Sequence, residues 1–160
     1  MIAIISDTHL PRGRRCLPEA CVEAIRDADL VLHAGDVATL SALREIAALG
    51  APLQAVCGNV DSPQLRRMLP RTLEIAVAGV MLGIVHDAGE ASGRSRRLRE
   101  AFPKAAAVIF GHTHAPYHER GAFQIFNPGS PTERRRAPHR SMGLAEVYRG
   151  RIRFRHLALS

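Results

Sequence analysis

The sequence predicts an α/β protein in which two β-sheets pack face to face and helices cover both outer faces. Through the first half of the 160-residue chain, short β-branched apolar runs alternate with segments of helical spacing, which implies parallel strands joined by right-handed crossovers. The second half turns to strand pairs separated by tight turns, the pattern of antiparallel pairing. Aromatic residues make up only 4% and Trp is absent. The interior must therefore be filled mainly by Ile, Leu, Val and Ala, which suits layered packing.

Taken in order, Ile2 to Ser6 is too short and too β-branched for a helix and reads as a buried strand. Pro18 sits where a first-turn proline belongs, and PEACVEAIRD carries apolar residues at helical spacing up to Asp27. Leu30 to His33 is the second strand. Thr39 or Ser41 can cap a helix through Ala48, and Gly50 and Pro52 are stop signals before a third strand, Leu53 to Val56. Asp61 or Ser62, followed by Pro63, opens a short helix to Leu69. Leu73 to Val77 and Val80 to Val85 flank Ala78 and Gly79 as a hairpin. Ser92 to Ala101 is an arginine-rich helix ended by Pro103, and Ala106 to Phe110 is a further buried strand. From Tyr117 onward short antiparallel strands follow, closing with Gly143 to Tyr148, a turn at Arg149 and Gly150, and Arg151 to His156. No repeat or linker interrupts the chain, so one domain over residues 1–160 is expected.

Composition narrows the function. Neither a charged leader with an apolar core nor a spanning-length apolar run is present, so a cytoplasmic protein with no membrane association is expected. Cys16, Cys21 and Cys57 form no CxxC pair, which argues against a disulfide framework and a thiolate metal site. The formal net charge of +7 is almost wholly arginine, because Lys104 is the only lysine. Arginine is the better fork for phosphate oxygens, so phosphate-bearing partners are one reading and a solvated surface the other.

Five of the apolar runs end in metal-ligand types: Asp7 and His9 after IAIIS, Asp36 after LVLHAG, Asn59 after LQAVCG, His86 after MLGIV, and His112 and His114 after AVIFG. Ligands of open α/β sheets bind outside the carboxyl ends of the strands, so these donors would converge. Carboxylate, amide oxygen and imidazole together suit divalent transition metals rather than a calcium cage. Singly, most have plainer readings: turns at Asp7, Gly35-Asp36 and Asn59, a rim histidine at His86. Gly111-His112-Thr113-His114 is the sharpest piece, since two imidazoles two residues apart after a buried strand and a Gly rarely arise for packing. Their conjunction at strand ends favours ligation.

The ordered set D-T-H (7 to 9), G-D (35 and 36), G-N-V-D (58 to 61), V-H (85 and 86) and G-H-T-H (111 to 114) resembles the calcineurin-like metallophosphoesterases. The short chain and N-P-G-S at Asn127 to Ser130 look like the small bacterial and archaeal phosphodiesterase branch of that superfamily. The resemblance implies a four-layer α/β/β/α sandwich of two mixed sheets flanked by helices. It implies two divalent ions, Mn²⁺ foremost with Fe, Ni²⁺ or Zn²⁺ as alternatives. Carried over, Asp7, His9, Asp36 and His114 would hold one ion and Asp36, Asn59, His86 and His112 the other, with Asp36 bridging. A hydroxide between the ions would attack the phosphorus of a small or nucleotide-like phosphoester, so no Ser or Cys nucleophile is required. Ser6 and Cys57 then read as structural, and no catalytic side chain beyond the ligands is identified.

Two departures stand out. Many relatives carry G-N-H-D, whose His serves the leaving oxygen, whereas this chain has Val60. Loss of a positioned acid forfeits roughly 10²- to 10⁴-fold for leaving groups that need protonation. Asp87 and His118 are the nearest substitutes in sequence. The usual H-G is His86-Asp87 here; either Gly89 takes over the close backbone approach or Asp87 adds charge near the second ion. Asn127 to Ser130 is either a plain surface turn or the loop that closes the site. Arg134, Arg135 and Arg136, with His139 and Arg140, read first as a solvated face and otherwise as a polyanion contact. A nucleic-acid module is disfavoured: only Tyr117, Phe123 and Phe126 lie near that run, and no recognition motif is present. The competing functions are a phosphomonoesterase of the same fold and an interaction scaffold, since a retromer subunit resembles these enzymes. Relatives often self-associate, which leaves a homo-oligomer open.

Overall fold

The computed structural model describes residues 1–11 and 15–160. Four layers follow from how the apolar side chains divide. In β1 (Ile2–Ile5), Ile2 and Ile4 face a core between two sheets, while Ala3 and Ile5 face a second core under helices. That alternation is the period of a strand buried on both faces. The second core is closed by α1 (Glu19–Arg26), α2 (Leu40–Ala47) and α3 (Pro63–Met68), through Cys21, Ile25, Ala42, Ile46 and Leu65. A third core, with Val108, Phe110 and Ile125, lies under Leu98 of α4 (Arg94–Ala101) and Phe102 just beyond it.

The first sheet has the order β10 (Arg151–Leu159), β9 (Arg140–Tyr148), β1, β2 (Leu30–His33), β3 (Leu53–Ala55). The second has β4 (Thr72–Val77), β5 (Val80–Val85), β6 (Ala107–Ile109), β8 (Gln124–Asn127), β7 (Tyr117–Glu119). Both sheets are mixed. The first three strands are parallel, with Ile2 opposite Leu30 and Val31 opposite Leu53, and the C-terminal hairpin adds antiparallel strands beside β1.

The expectation of short antiparallel strands from Tyr117 onward needs correction on two counts. β8 is antiparallel to β7 but parallel to β6, because the turn after β7 brings the chain back in the direction of β6. β9 and β10 are nine residues each, paired from Arg151 with Tyr148 to Leu159 with Arg140. The helix expected from Ser92 begins instead at Arg94, because Gly93 takes a left-handed conformation with φ 68° ahead of the first turn. Thr39, rather than Ser41, caps α2 by accepting from Ala42 N–H at 3.2 Å. Among the described residues, no helix is long and apolar enough to cross a membrane.

Candidate metal centre

The carboxyl ends of β1, β2, β3, β5 and β6 point the same way, and the loops leaving them lock together. Beyond β1, Asp7 N–H donates to Gly35 C=O at 3.0 Å, His9 N–H to Asp36 C=O at 3.0 Å and Leu10 N–H to Val37 C=O at 2.9 Å. The two loops thus extend the parallel ladder past the strands and set Asp7 and His9 in register with Asp36. Five donor-bearing residues hold left-handed backbone: Asp7 (φ 55°), His9 (48°), Asp36 (60°), His112 (69°) and His114 (59°). Each such residue costs on the order of 1 kcal/mol. Strain concentrated on these residues is what a site fixed by its surroundings displays, not what ordinary turns need.

All seven sequence-derived candidates meet in one unbroken network. His114 Nε2 lies 3.4 Å from Asp7 Oδ1, which lies 4.0 Å from His9 Nε2. His9 Nε2 is 3.6 Å from Asp36 Oδ2, and that oxygen is 3.2 Å from His86 Nε2. Asn59 Oδ1 completes the path, 3.0 Å from both His86 Nε2 and His112 Nδ1. Within it, Asp7, His9 and His114 form one buried metal-ligating triad and Asp7, Asp36 and His86 another. By distance Asp7 is common to both triads, while Asp36 Oδ2 also faces a histidine on each side.

The histidines are oriented for ligation. His86 Nδ1–H donates to Ala34 C=O at 2.8 Å and His114 Nδ1–H to Glu133 C=O at 3.1 Å. A carbonyl only accepts, so each bond fixes the proton on Nδ1 and leaves the Nε2 lone pair for the centre. Among the described residues, the buried His9 Nε2 and His114 Nε2 have no hydrogen-bond partner. Buried nitrogens without partners, beside two carboxylates, fit a bound divalent cation and are costly without one.

Titration behaviour agrees with a site arranged for cations. Burial pushes the Asp7 carboxyl up to about 7, against the opposing pull of the His86 charge and the hydrogen bonds from Ser6 and His112. Burial likewise lowers His9, and lowers His114 to about 4. For Asp36 burial acts upward, but hydrogen bonds from His86 and Val60 N–H outweigh it and hold the group below the usual carboxylate range. Burial would lower His86, yet its bond to Asp36 and the charges of Asp7 and Asp36 raise it. Metal-free protein at pH 6 therefore holds Asp7 largely protonated and His114 neutral, with His86 shifted toward its charged form and His9 toward its neutral one. Ligation requires the ionised carboxylate and neutral imidazoles. Calorimetric titration with Mn²⁺ in buffers of different ionisation enthalpy should thus register net proton release at pH 6 that shrinks by pH 8. Release that is equal at both pH values would contradict these protonation states.

The supporting residues were the least legible in sequence. Asp61, expected as a helix cap, is buried and accepts from Ala38 N–H and Gly58 N–H, each at 2.7 Å, while Ser62 caps α3. One carboxylate thereby ties the loop bearing Asp36 to the loop bearing Asn59. Asp61→Ala leaves two N–H groups without their partner and should lower stability by about 2–4 kcal/mol, measured by urea unfolding; a change under about 0.5 kcal/mol, the ordinary surface value, would contradict this role. Asn127 and Ser130 are fully buried, which rules out a plain surface turn at 127–130. Asn127 Nδ2 donates to Gly111 C=O at 2.9 Å, and Ser130 Oγ donates to Asp7 C=O at 2.8 Å. Thr132 Oγ1 adds a bond to Thr8 C=O at 2.8 Å. Small polar residues around a Pro-Gly, directly after the apolar strand IF, were the available signal.

Of the proposed acid substitutes, His118 is elsewhere. Its ring packs on Phe126 and Phe154, its Nε2 is 2.9 Å from Gln124 Oε1, and it lines a cavity of about 810 Å³ at the opposite end of the parallel strands. Asp87 does line the pocket at the centre, about 480 Å³, together with Asn59, His86, His112, Arg66 and Arg71. Gly89 does not provide the close approach: a Cβ there would meet the Arg97 guanidinium at 3.1 Å, whereas one on Gly35 would lie 2.6 Å from His86 Nδ1. Within the arginine run, Arg135 is close enough for its charge to depress both His9 and His114, whereas Arg134 donates to Ala137 C=O at 3.2 Å.

Residues 1–150 match the family model for the calcineurin-like phosphoesterase superfamily domain. The chain belongs to the calcineurin-like phosphoesterase superfamily. A probable metallophosphoesterase of Methanothermobacter thermautotrophicus is 36% identical over 135 residues, covering 82% of this chain and 77% of the relative. The solution structure of a Thermotoga maritima protein superposes with a TM-score of 0.77 at 28% identity, covering 99% of this chain and 98% of that one. Vacuolar protein sorting 29 from Cryptosporidium parvum reaches the same TM-score of 0.77 at 18% identity, covering 99% of this chain and 97% of its own. At that identity the likeness is one of fold alone. A fold common to phosphoesterases and a sorting protein does not choose between catalysis and scaffolding, so the donors must.

Proposed function

We propose that this calcineurin-like phosphoesterase is a two-metal phosphodiesterase acting on small or nucleotide-like phosphoesters. The observation that carries the reading is the continuous donor network, with two buried imidazole nitrogens that have no hydrogen-bond partner among the described residues. In this reading Asp7, His9, Asp36 and His114 hold one divalent ion, and Asp36, Asn59, His86 and His112 hold the other. The family resemblance puts Mn²⁺ first, and the mixed oxygen and imidazole donors also suit Fe, Ni²⁺ or Zn²⁺. Such a pair supplies an activated water and Lewis-acid stabilisation of charge on the phosphate. The residues supply geometry: Ala34 and Glu133 carbonyls orient His86 and His114, and Val60 N–H holds Asp36 Oδ1 at 2.8 Å so that Oδ2 faces the histidines. Ser6 Oγ is engaged with Ala34 C=O at 3.1 Å, in keeping with a structural part.

Val60 is 47% exposed, and its side chain has no proton to give the leaving oxygen. Diesters with acidic leaving groups should therefore be favoured. Val60→His keeps the backbone donor to Asp36 and should raise turnover of an alkyl diester by about tenfold or more while changing bis-p-nitrophenyl phosphate little. Equal effects on both would mean that no acid is missing. The reading itself is tested by comparing bis-p-nitrophenyl phosphate with p-nitrophenyl phosphate at fixed Mn²⁺. A higher kcat/KM for the diester supports it; preference for the monoester reassigns the chain as a phosphomonoesterase, and turnover of neither supports a scaffold.

A further inference from the structure

The pocket of about 480 Å³ opens onto Asn59, His86 and His112, while Asp7, His9 and His114 lie buried and do not line it. Substrate thus reaches the donors from the side where Arg66 and Arg71 stand. The Arg66 side chain is tied down, and the Arg71 backbone is held beside it. Arg66 lies in α3, whose start is fixed by the Ser62 cap and Pro63, and its Nη2 donates to Asn59 C=O in the donor loop. Arg71 follows Pro70, whose C=O accepts from Cys57 N–H at 2.9 Å, so its backbone is pinned to the strand end that leads to Asn59. Among the described residues neither arginine makes an ion pair, and Asp87 is the only carboxylate lining the pocket. Two guanidinium groups against one carboxylate leave positive charge uncompensated beside donors that would themselves hold cations.

The reacting group of a phosphodiester carries a single negative charge, which the ions would meet. From the excess we infer that Arg66 and Arg71 form a seat for a second phosphate, so that preferred substrates are phosphodiesters carrying a further phosphate group on the same molecule. The guanidinium fork matches phosphate oxygens in pairs and holds its charge at every working pH. This inference rests on the phosphodiesterase reading and names its substrate class.

The test is calorimetric binding of adenosine 5′-monophosphate and adenosine 3′,5′-bisphosphate to Mn²⁺-loaded protein. The bisphosphate should bind about tenfold tighter or more, the worth of one charge-assisted contact. Arg71→Gln should bring the two affinities to within about threefold, Arg71→Lys should recover part of the difference, and Arg66→Gln should act in the same direction. Arg99→Gln is the control, since Arg99 of α4 stacks over Phe123 at 4.8 Å and does not line the pocket. Equal affinity of wild type for both nucleotides, or an unchanged ratio in Arg71→Gln, would overturn the seat. Bis-p-nitrophenyl phosphate carries no second phosphate and separates the two readings. If wild type hydrolyses it but shows no bisphosphate preference, the seat alone falls; if the preference holds without turnover, the hydrolase reading falls and the seat stands.

Discussion

Asp36→Asn should lower metal-dependent diester hydrolysis by about 10³-fold or more while leaving the fold in place. Asparagine has the shape of aspartate, so an oxygen can still accept from Val60 N–H, which approaches Asp36 Oδ1 at 2.8 Å. What is lost is the charge and the second anionic oxygen, the atom 3.6 Å from His9 Nε2 and 3.2 Å from His86 Nε2. An amide nitrogen there offers a donor where cations need an acceptor. Elemental analysis of the variant should find less metal per chain than in wild type, and its far-ultraviolet circular dichroism should be unchanged. Wild-type turnover in Asp36→Asn would mean that the two donor sets do not share this carboxylate.

Gly58→Ala should be nearly as damaging although it adds only a methyl group and removes no donor. A Cβ at residue 58 would stand 2.1 Å from Asp36 Oδ1, 2.4 Å from Asp36 N and 2.7 Å from Asp36 Cγ. The backbone cannot retreat freely, because Gly58 N–H donates to the buried Asp61 carboxylate at 2.7 Å. The Asp36 carboxylate must therefore move, and a displacement near 1 Å costs about 10²-fold in rate. Overpacking should also cost about 1–3 kcal/mol of stability. Gly121→Ala is the control: its Cβ would meet only Phe123 C=O, at 3.4 Å, in ordinary contact. Activity within about threefold of wild type in Gly58→Ala would contradict the tight seating of Asp36.

What the sequence made legible was chemistry written in side-chain types at strand ends. The alternation of Ile2, Ala3, Ile4 and Ile5 separates two cores, and each run of this kind aims its last residues at the same edge. Asp7, His9, Asp36, Asn59, His86, His112 and His114, singled out by their strand-end positions, accordingly lie in one network. The groups that orient them were not legible in this way, for physical reasons. The carbonyls of Ala34 and Glu133 fix two histidine tautomers, and every residue has a carbonyl, so no sequence pattern marks them. Asp61 before Ser62-Pro63 has the same local grammar as a helix cap; only the fold reveals that it bridges two loops. No sequence pattern marks Arg66 and Arg71 as neighbours of Asn59; the placement of α3 and its exit makes them so. The parallel pairing of β8 with β6 was hidden because strand direction depends on the turn after β7 rather than on the strand itself.

The central claim is that the donor network holds two catalytic cations. It is tested most directly by titrating metal-stripped protein with Mn²⁺ while following bound metal and hydrolysis of bis-p-nitrophenyl phosphate in the same samples. Activity should be negligible in the stripped protein and rise to a plateau as about two ions per chain bind, the stoichiometry of a two-metal site. No bound metal, or bound metal without turnover in Mn²⁺, Fe²⁺, Ni²⁺ and Zn²⁺ alike, would contradict it.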